Sequence, residues 1–318
     1  MTRHSMGRAL TLVASLVIAP ALVLVAQQPA RFRSSTDTVE VHVTVRSADG
    51  ALVRDLTSDD FEVDDNGRRR DIVVFSGDVQ PLTVGVVVDR SGSVDEKSAE
   101  VTAVAEAFVG ALRREDRASM STLSWDCEPL TNDKTRLAAM LRTPTQADIG
   151  SPVWPAVGRT LTALEREAGR RAVLLLSDGE NYSRPLRPAI AERFPGPCRY
   201  AGSSTNTTLD EVVDRAAGGG VMVYVVTVDI AGVETRDAEL RRLARESGGE
   251  RYRLSREADL PAVFRRIADE LHHQYLLGFV PDAFDGKRHD LAVRVKRPGV
   301  TVRARRSYVA TRLPDPPR

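Results

Sequence analysis

An apolar run that ends in a short polar loop limits the fold of this chain more than any other feature. Val84–Val88 contains only valine and glycine, which is typical of a strand buried on both faces of a parallel sheet. Asp-Arg-Ser-Gly-Ser follows at residues 89–93, and an amphipathic helix is predicted directly after it. Asp89, Ser91 and Ser93 alternate in this loop, and their oxygens suit a hard cation. The loop therefore predicts a metal site at the carboxyl end of a strand, where open α/β sheets usually bind ligands.

Two further loops place oxygen ligands at the same edge of the predicted sheet. The apolar segment 172–177 is predicted to be a strand, and Asp178-Gly179 follows it. Ser151 stands just before 153–168, which has the apolar spacing of a helix. A lone Asp-x-Ser-x-Ser loop is also explained by residues that only cap the next helix. The three loops together, each beside a predicted strand or helix, favour a metal site.

Strands and helices alternate through the middle of the chain, which predicts an α/β fold. The predicted strands cover 83–88, 119–125, 127–131, 172–177, 221–228 and 251–254. The predicted helices cover 95–113, 134–142, 153–168, 208–217, 235–247 and 258–273. Thr208 and Glu211 have the spacing of a capping box, which marks the start of the fourth helix. We expect a doubly wound, mainly parallel sheet with helices on both faces.

Two short β segments flank this α/β region. Apolar and polar residues alternate over 39–45, and Asn66-Gly67 predicts a hairpin whose returning strand is 71–75. Three more strands are predicted at the other end of the chain, over 275–280, 289–296 and 299–308. Neither segment has enough strands to be stable alone. We therefore predict one discontinuous β-sandwich, built from 36–80 and 274–312, with the α/β domain 81–273 inserted between its parts.

The first thirty residues look like a targeting segment. Arg3, His4 and Arg8 precede an uncharged stretch, 9–26, which is typical of a signal peptide. An uncleaved N-terminal anchor is the alternative. Either reading predicts an exported protein that is periplasmic, cell-surface or secreted. The last residues, 313–318, are predicted to be a disordered tail.

Net charge, cysteine content and the absence of catalytic motifs limit the classes of function that the sequence supports. The formal net charge is +1, so no overall field attracts nucleic acid. The two cysteines, Cys127 and Cys198, either form a disulfide in an oxidising compartment or are unrelated buried thiols. The sequence contains no Gly-x-Ser-x-Gly elbow, no P-loop and no histidines at metal-ligand or triad spacing, so we expect no enzyme activity.

The three loops resemble the metal-ion-dependent adhesion site (MIDAS) of von Willebrand factor type A domains. Asp89, Ser91 and Ser93 match the first loop of that site, and Asp178 matches the third. Ser151 stands where the second loop normally has threonine. The resemblance covers roughly residues 81–270.

Motifs outside that domain resemble an acidobacterial-type family of secreted proteins related to von Willebrand factor type A domains. They include Asp55-Leu-Thr-Ser-Asp-Asp-Phe-Glu-Val and Tyr275-Leu-Leu-Gly-Phe-Val-Pro. The closing Arg-Val-Lys-Arg-Pro-Gly-Val-Thr-Val segment, which begins at Arg294, also resembles that family. This second resemblance spans nearly the whole chain after the targeting segment.

The chemistry of the predicted site indicates a binding function. The two negative charges of Asp89 and Asp178 would neutralise a divalent cation. The three serine hydroxyls would fill only part of its remaining coordination shell, so positions are left for water. Mg²⁺ is the first candidate, with Mn²⁺ and Ca²⁺ as alternatives. The resemblance implies that a partner protein donates an Asp or Glu carboxylate to the metal. The chain is thus predicted to be an exported, metal-dependent adhesion or assembly module.

Two other functions stay open at this point. One is a metal-independent scaffold with a degenerate site, binding through the β-sandwich or through a long insertion, 181–208. The other is a metallohydrolase of an unrecognised type. The insertion contains Cys198, and a disulfide from Cys198 to Cys127 would fix it near the metal-binding edge.

Overall fold

The computed structural model of the protein describes most of the chain after residue 37. The described residues are 38–89, 107–142, 150–177, 182–183, 199–201, 207–228, 237–255 and 259–311. Thr36–Arg318 form one compact unit. The predicted signal peptide or anchor, 1–30, and the predicted tail, 313–318, lie outside the described residues. No helix in the described part is long and apolar enough to cross a membrane.

A seven-stranded, mainly parallel sheet forms the centre of the α/β region. The five parallel strands are β5 (Leu82–Val88), β6 (Arg117–Thr122), β9 (Arg170–Leu176), β12 (Met222–Val228) and β13 (Arg251–Leu254). At one edge, β7 (Trp125–Thr131) and β11 (Arg199–Tyr200) continue the sheet with antiparallel pairing. The strand order of the whole sheet is β11-β7-β6-β5-β9-β12-β13. Every residue of β5 is buried, as its apolar sequence predicts for a central strand.

Helices cover both faces of this sheet. They are α1 (Lys134–Arg142), α2 (Val153–Leu164), α3 (Leu209–Gly219), α4 (Asp237–Ser247) and α5 (Leu260–His272). Residues 107–111 are also helical, as the expected helix 95–113 requires for its last turns. One hydrophobic cluster joins the sheet to α1 and α5, and a second joins its other face to α2, α3 and α4. The helix α3 begins with the predicted capping box, in which Thr208 and Glu211 each bond to the backbone N–H of the other.

The flanking β segments form two four-stranded sheets. Their strands come from both sides of the α/β region: β1 (Val39–Ser47), β2 (Phe61–Asp65), β3 (Arg68–Arg70), β4 (Val74–Ser76), β14 (Tyr275–Phe279), β15 (Arg288–Val295), β16 (Val300–Arg303) and β17 (Ser307–Val309). One sheet has the order β16-β1-β14-β4, and the other has the order β17-β15-β2-β3. A single hydrophobic cluster, which includes Val41, Phe61 and Leu277, lies between them. The predicted fold class, an α/β sheet inserted in a discontinuous β-sandwich, is confirmed.

Two strand assignments made from the sequence differ from the structure. The hairpin at Asn66-Gly67 is present, with both residues at positive φ, but its returning strand is β3 rather than 71–75. The chain then crosses to the other sheet and continues as β4. Likewise, the single strand expected over 299–308 is divided into β16 and β17, which belong to different sheets. Alternation of apolar residues cannot reveal a crossing between sheets, because both sheets share one core.

A buried carboxylate connects the α/β region to the β-sandwich. Glu270, near the end of α5, is fully buried and accepts hydrogen bonds from Thr44 Oγ1 at 3.1 Å and Arg46 Nη2 at 2.5 Å. It also pairs with Arg303 and accepts from the Tyr224 hydroxyl. These partners come from β1, β16 and β12, so one side chain links the last helix, the parallel sheet and the sandwich.

Candidate metal centre

Asp89 lies where the sequence predicts it, directly after β5 at the carboxyl end of the parallel sheet. Its side chain is buried, with 1% of the residue exposed. The backbone N–H of Asp89 donates to the carbonyl of Leu176 at 2.8 Å, and Asp89 Oδ2 accepts from the Ser177 hydroxyl at 2.8 Å. The loop after β5 is therefore joined to the end of β9, and the carboxylate is held in one orientation.

Ser151 belongs to the second loop, which pairs with the segment that follows the third loop. It lies in β8 (Gly150–Ser151), which pairs antiparallel with β10 (Tyr182–Ser183), a short strand that follows the third loop. Ser151 is completely buried, and its hydroxyl has no hydrogen-bond partner among the described residues. A buried hydroxyl without a hydrogen-bond partner lowers the stability of the fold unless a ligand binds it.

The described parts of the three loops are thus connected in pairs. The first loop bonds to Leu176 and Ser177, at the start of the third. The third loop continues into β10, which pairs with the second at β8. Ser91, Ser93 and Asp178 lie outside the described residues, so the complete ligand set stays a prediction. Ser177 was not singled out from the sequence, because a serine before an Asp-Gly pair carries no signal of a contact with a distant loop.

Within the described residues, no group of three or more His, Cys, Asp or Glu side chains is arranged to hold a metal ion. The predicted site is of a different kind, because three of its five ligands are serines. Its described members, Asp89 and Ser151, are a carboxylate and a hydroxyl, and both are hard oxygen donors of the type that Mg²⁺ and Ca²⁺ prefer.

The long insertion after the third loop pairs with the rest of the chain at two places, and one of them is the edge of the seven-stranded sheet. β10 pairs with β8, and β11 pairs with the edge strand β7 in the register Arg199–Asp126 and Tyr200–Trp125. The backbone N–H of Ala201 extends this contact by donating to Ser124 O at 3.0 Å. Cys127 in β7 is disulfide-bonded, and Cys198 lies outside the described residues.

A second buried aspartate marks the opposite end of β5. Asp116 accepts from the backbone N–H groups of Leu82 at 2.9 Å and Arg113 at 2.6 Å, and contacts His272 Nε2 at 2.7 Å. Burial favours a raised pKa for Asp116, but the bonds from His272 and the two N–H groups outweigh it, and the pKa is lowered. His272 is the last residue of α5, so this contact joins that helix to the end of the sheet opposite Asp89.

Solved structures with a similar fold include von Willebrand factor type A domains, the family that the loop motifs resemble. A von Willebrand factor type A protein from Catenulispora acidiphila is 12% identical, with 87% of this chain and 75% of that chain covered and a TM-score of 0.45. The vWF domain of the type V pili tip protein Mfa5 from Porphyromonas gingivalis is 14% identical, with 60% and 95% covered and a TM-score of 0.45.

A third similar structure is proximal thread matrix protein 1 from the mussel byssus, with a zinc-occupied MIDAS motif. It is 14% identical, with 65% of this chain and 49% of that chain covered and a TM-score of 0.45. No protein-family model and no curated protein matches this chain.

Proposed function

We propose that this protein is an exported, metal-dependent binding module for adhesion or assembly. Its cation is held by Asp89, Ser91, Ser93, Ser151 and Asp178, and a partner protein completes the shell with an Asp or Glu carboxylate. The observation that carries the proposal is the hydroxyl of Ser151, which is buried without a partner among the described residues. Its loop pairs with the segment after the third loop, and Asp89 bonds to the residue before the third loop. A bound cation would satisfy that oxygen.

Charge balance supports a divalent ion that retains water. Asp89 and Asp178 would neutralise it, and the serine hydroxyls add no charge. Mg²⁺ keeps several waters and uses few protein carboxylates, so one water can give way to a carboxylate from a partner. Ca²⁺ usually takes more ligands than this set provides, and Mn²⁺ also accepts carboxylate, hydroxyl and water oxygens.

Thermal unfolding with Mg²⁺, Mn²⁺ or EDTA tests the metal site. A ligand that binds only the folded state stabilises it by about 2.7 kcal/mol at a hundredfold excess over Kd. We expect a metal-dependent rise in Tm that is lost in Asp89→Asn. Loss of the response in Ser151→Ala as well would assign the second loop to the site.

The two ends of β5 offer a matched control. Asp116 and Asp89 are both buried aspartates, separated by a strand of seven residues, roughly 20 Å at the usual rise. Asp116→Asn should lower Tm without removing the response to metal. If Asp116→Asn abolishes the response as fully as Asp89→Asn, the effect is a general loss of stability and the assignment is wrong.

We also propose that the disulfide of Cys127 is made with Cys198. The register of β7 and β11 pairs Asp126 with Arg199. If that register continued by one residue, Cys198 would face Cys127, and facing residues of antiparallel strands have the Cα separation that disulfides need. Mass spectrometry of the unreduced protein should find the linked peptides. Two free thiols would disprove the pairing.

A scaffold that binds without metal is the second candidate. The pairing of β10 with β8, and of β11 with the edge strand β7, favours it because these contacts hold parts of the insertion on the surface. Pull-down of partners in Mg²⁺ and in EDTA separates the two. Partners retained in EDTA and by Asp89→Asn would support the scaffold and exclude metal-dependent capture.

A further inference from the structure

A cavity of about 420 Å³, lined by both polar and apolar side chains, lies on the α2 side of the seven-stranded sheet, near its β7 edge. Its floor includes Ser119 and Ser121 of β6, and Arg159 and Thr160 of α2 form one wall. Asp126 and Arg199, from the paired strands β7 and β11, lie at the outer side. None of these residues belongs to the proposed metal site.

The cavity exists because the side chains on this face of β6 are small. Over the neighbouring strand, α2 approaches so closely that a Cβ on Gly85 would lie 2.1 Å from Thr160 Cγ2. Gly85 pairs with Ser119, and Ser119 and Ser121 are half-buried serines on the same face. On β9, that face carries Val173 and Leu175, which are fully buried in the core beneath the helices. Serines cannot fill the same volume, so space remains beside α2.

The charges at the rim favour an anion. The carboxylate of Asp126 lies between two guanidinium groups, 3.5 Å from Arg159 Nε and 3.8 Å from Arg199 Nη2. Arg159 is also held by a hydrogen bond from Nη2 to the carbonyl of Leu123 at 2.9 Å. The side chain of Arg199 is 86% exposed, so it is free to reorient. Among the side chains described at this rim, two positive charges face one negative charge.

We propose that this cavity binds a sugar acid of the hexuronate class. The Arg199 guanidinium would pair with the ligand carboxylate, since its planar fork matches two carboxylate oxygens. The serine floor would exchange hydrogen bonds with the ring hydroxyls. Leu130 and Ala163, which also line the cavity, would contact the C–H face of the ring. The volume lies within the roughly 300–1,000 Å³ typical of small-molecule sites.

Saturation-transfer NMR with D-glucuronate and D-galacturonate tests this site, with glucose and galactose as uncharged controls. EDTA in all samples removes any contribution from the proposed metal site. We expect at least one uronate to bind, and about tenfold weaker binding for Arg199→Gln, because a charge-assisted pair is lost. Ser121→Val should weaken binding similarly by filling the floor.

The two variants are chosen so that folding does not confuse the result. Arg199 is exposed, and valine suits a strand position, so Tm should change little in either variant. The proposal is overturned if neither uronate binds, if the neutral sugars bind as tightly, or if both variants bind as the original protein does. If metal does not raise Tm but a uronate still binds, the metal site is disproved and the uronate site is supported.

Discussion

Gly85 offers a direct test of how tightly α2 packs on the central strand. An added Cβ would lie 2.1 Å from Thr160 Cγ2, whereas carbon atoms in contact are usually about 3.5–4.0 Å apart. The overlap of roughly 1.5 Å must be relieved by the helix or by rotation of Thr160, whose hydroxyl donates to Ala156 O at 3.0 Å. We therefore expect Gly85→Ala to destabilise the protein by about 1–3 kcal/mol, the usual range for overpacking.

Thr160→Ser is the matching substitution, because it deletes only the methyl group that the new Cβ would meet. The nearest remaining atoms would be Ser119 Oγ at 3.5 Å and Thr160 Cβ at 3.6 Å, which are ordinary contacts. In that background, alanine at position 85 should be neutral or stabilising by up to about 1 kcal/mol, since glycine weakens a strand interior. The double-mutant cycle should then give a favourable coupling of about 1–4 kcal/mol.

Urea unfolding followed by circular dichroism measures all four proteins of this cycle. The midpoint and the slope m are both needed, because a changed slope would signal a changed unfolded or intermediate state. If Gly85→Ala costs less than about 0.5 kcal/mol, or costs the same with serine at position 160, then the contact does not limit the packing of α2 and the reasoning is wrong.

Three further predictions concern stability. Glu270→Gln leaves the Arg303 and Arg46 guanidiniums without their shared carboxylate and should cost about 3–5 kcal/mol, measured by urea unfolding. Asp116 has a lowered pKa, so its carboxylate stabilises the fold above about pH 4, and that stability is lost as the pH falls through the folded pKa. Asp116→Asn should therefore differ from the original protein at pH 7 and converge with it in acid, and parallel profiles would contradict this. Thr208→Ala removes the cap of α3 and should lower stability by about 1 kcal/mol, whereas Thr208→Ser should be nearly neutral.

Local features of the fold were predictable because their signals are local. The apolar run of β5 identifies a central strand, and Thr208 with Glu211 identifies the start of α3. Asn66-Gly67 likewise identifies a hairpin turn. In each case the sequence signal lies within the few residues that form the strand, cap or turn. These elements can therefore be predicted without knowledge of contacts to distant residues.

Features that depend on distant contacts were not predictable in the same way. Thr44 and Glu270 are 226 positions apart, and nothing near either residue indicates their hydrogen bond. The division of 299–308 into two strands follows from partners in β1 and β15, at different positions along the chain. For the proposed metal site, the motif predicted the position of Asp89, but not the Ser177 hydroxyl that orients it.

The pairing of β1 with β14 determines how tension would pass through the molecule. Val43 faces Tyr275, so the strand before the α/β region and the strand after it are hydrogen-bonded neighbours. A force applied to the residues that flank the sandwich would load this antiparallel ladder and the pairing of β17, the last strand, with β15. The α/β region, which begins after β4 and ends before β14, lies outside that load path while the ladder holds. A binding site carried on such an inserted domain would keep its shape under pulling until the sandwich itself yields.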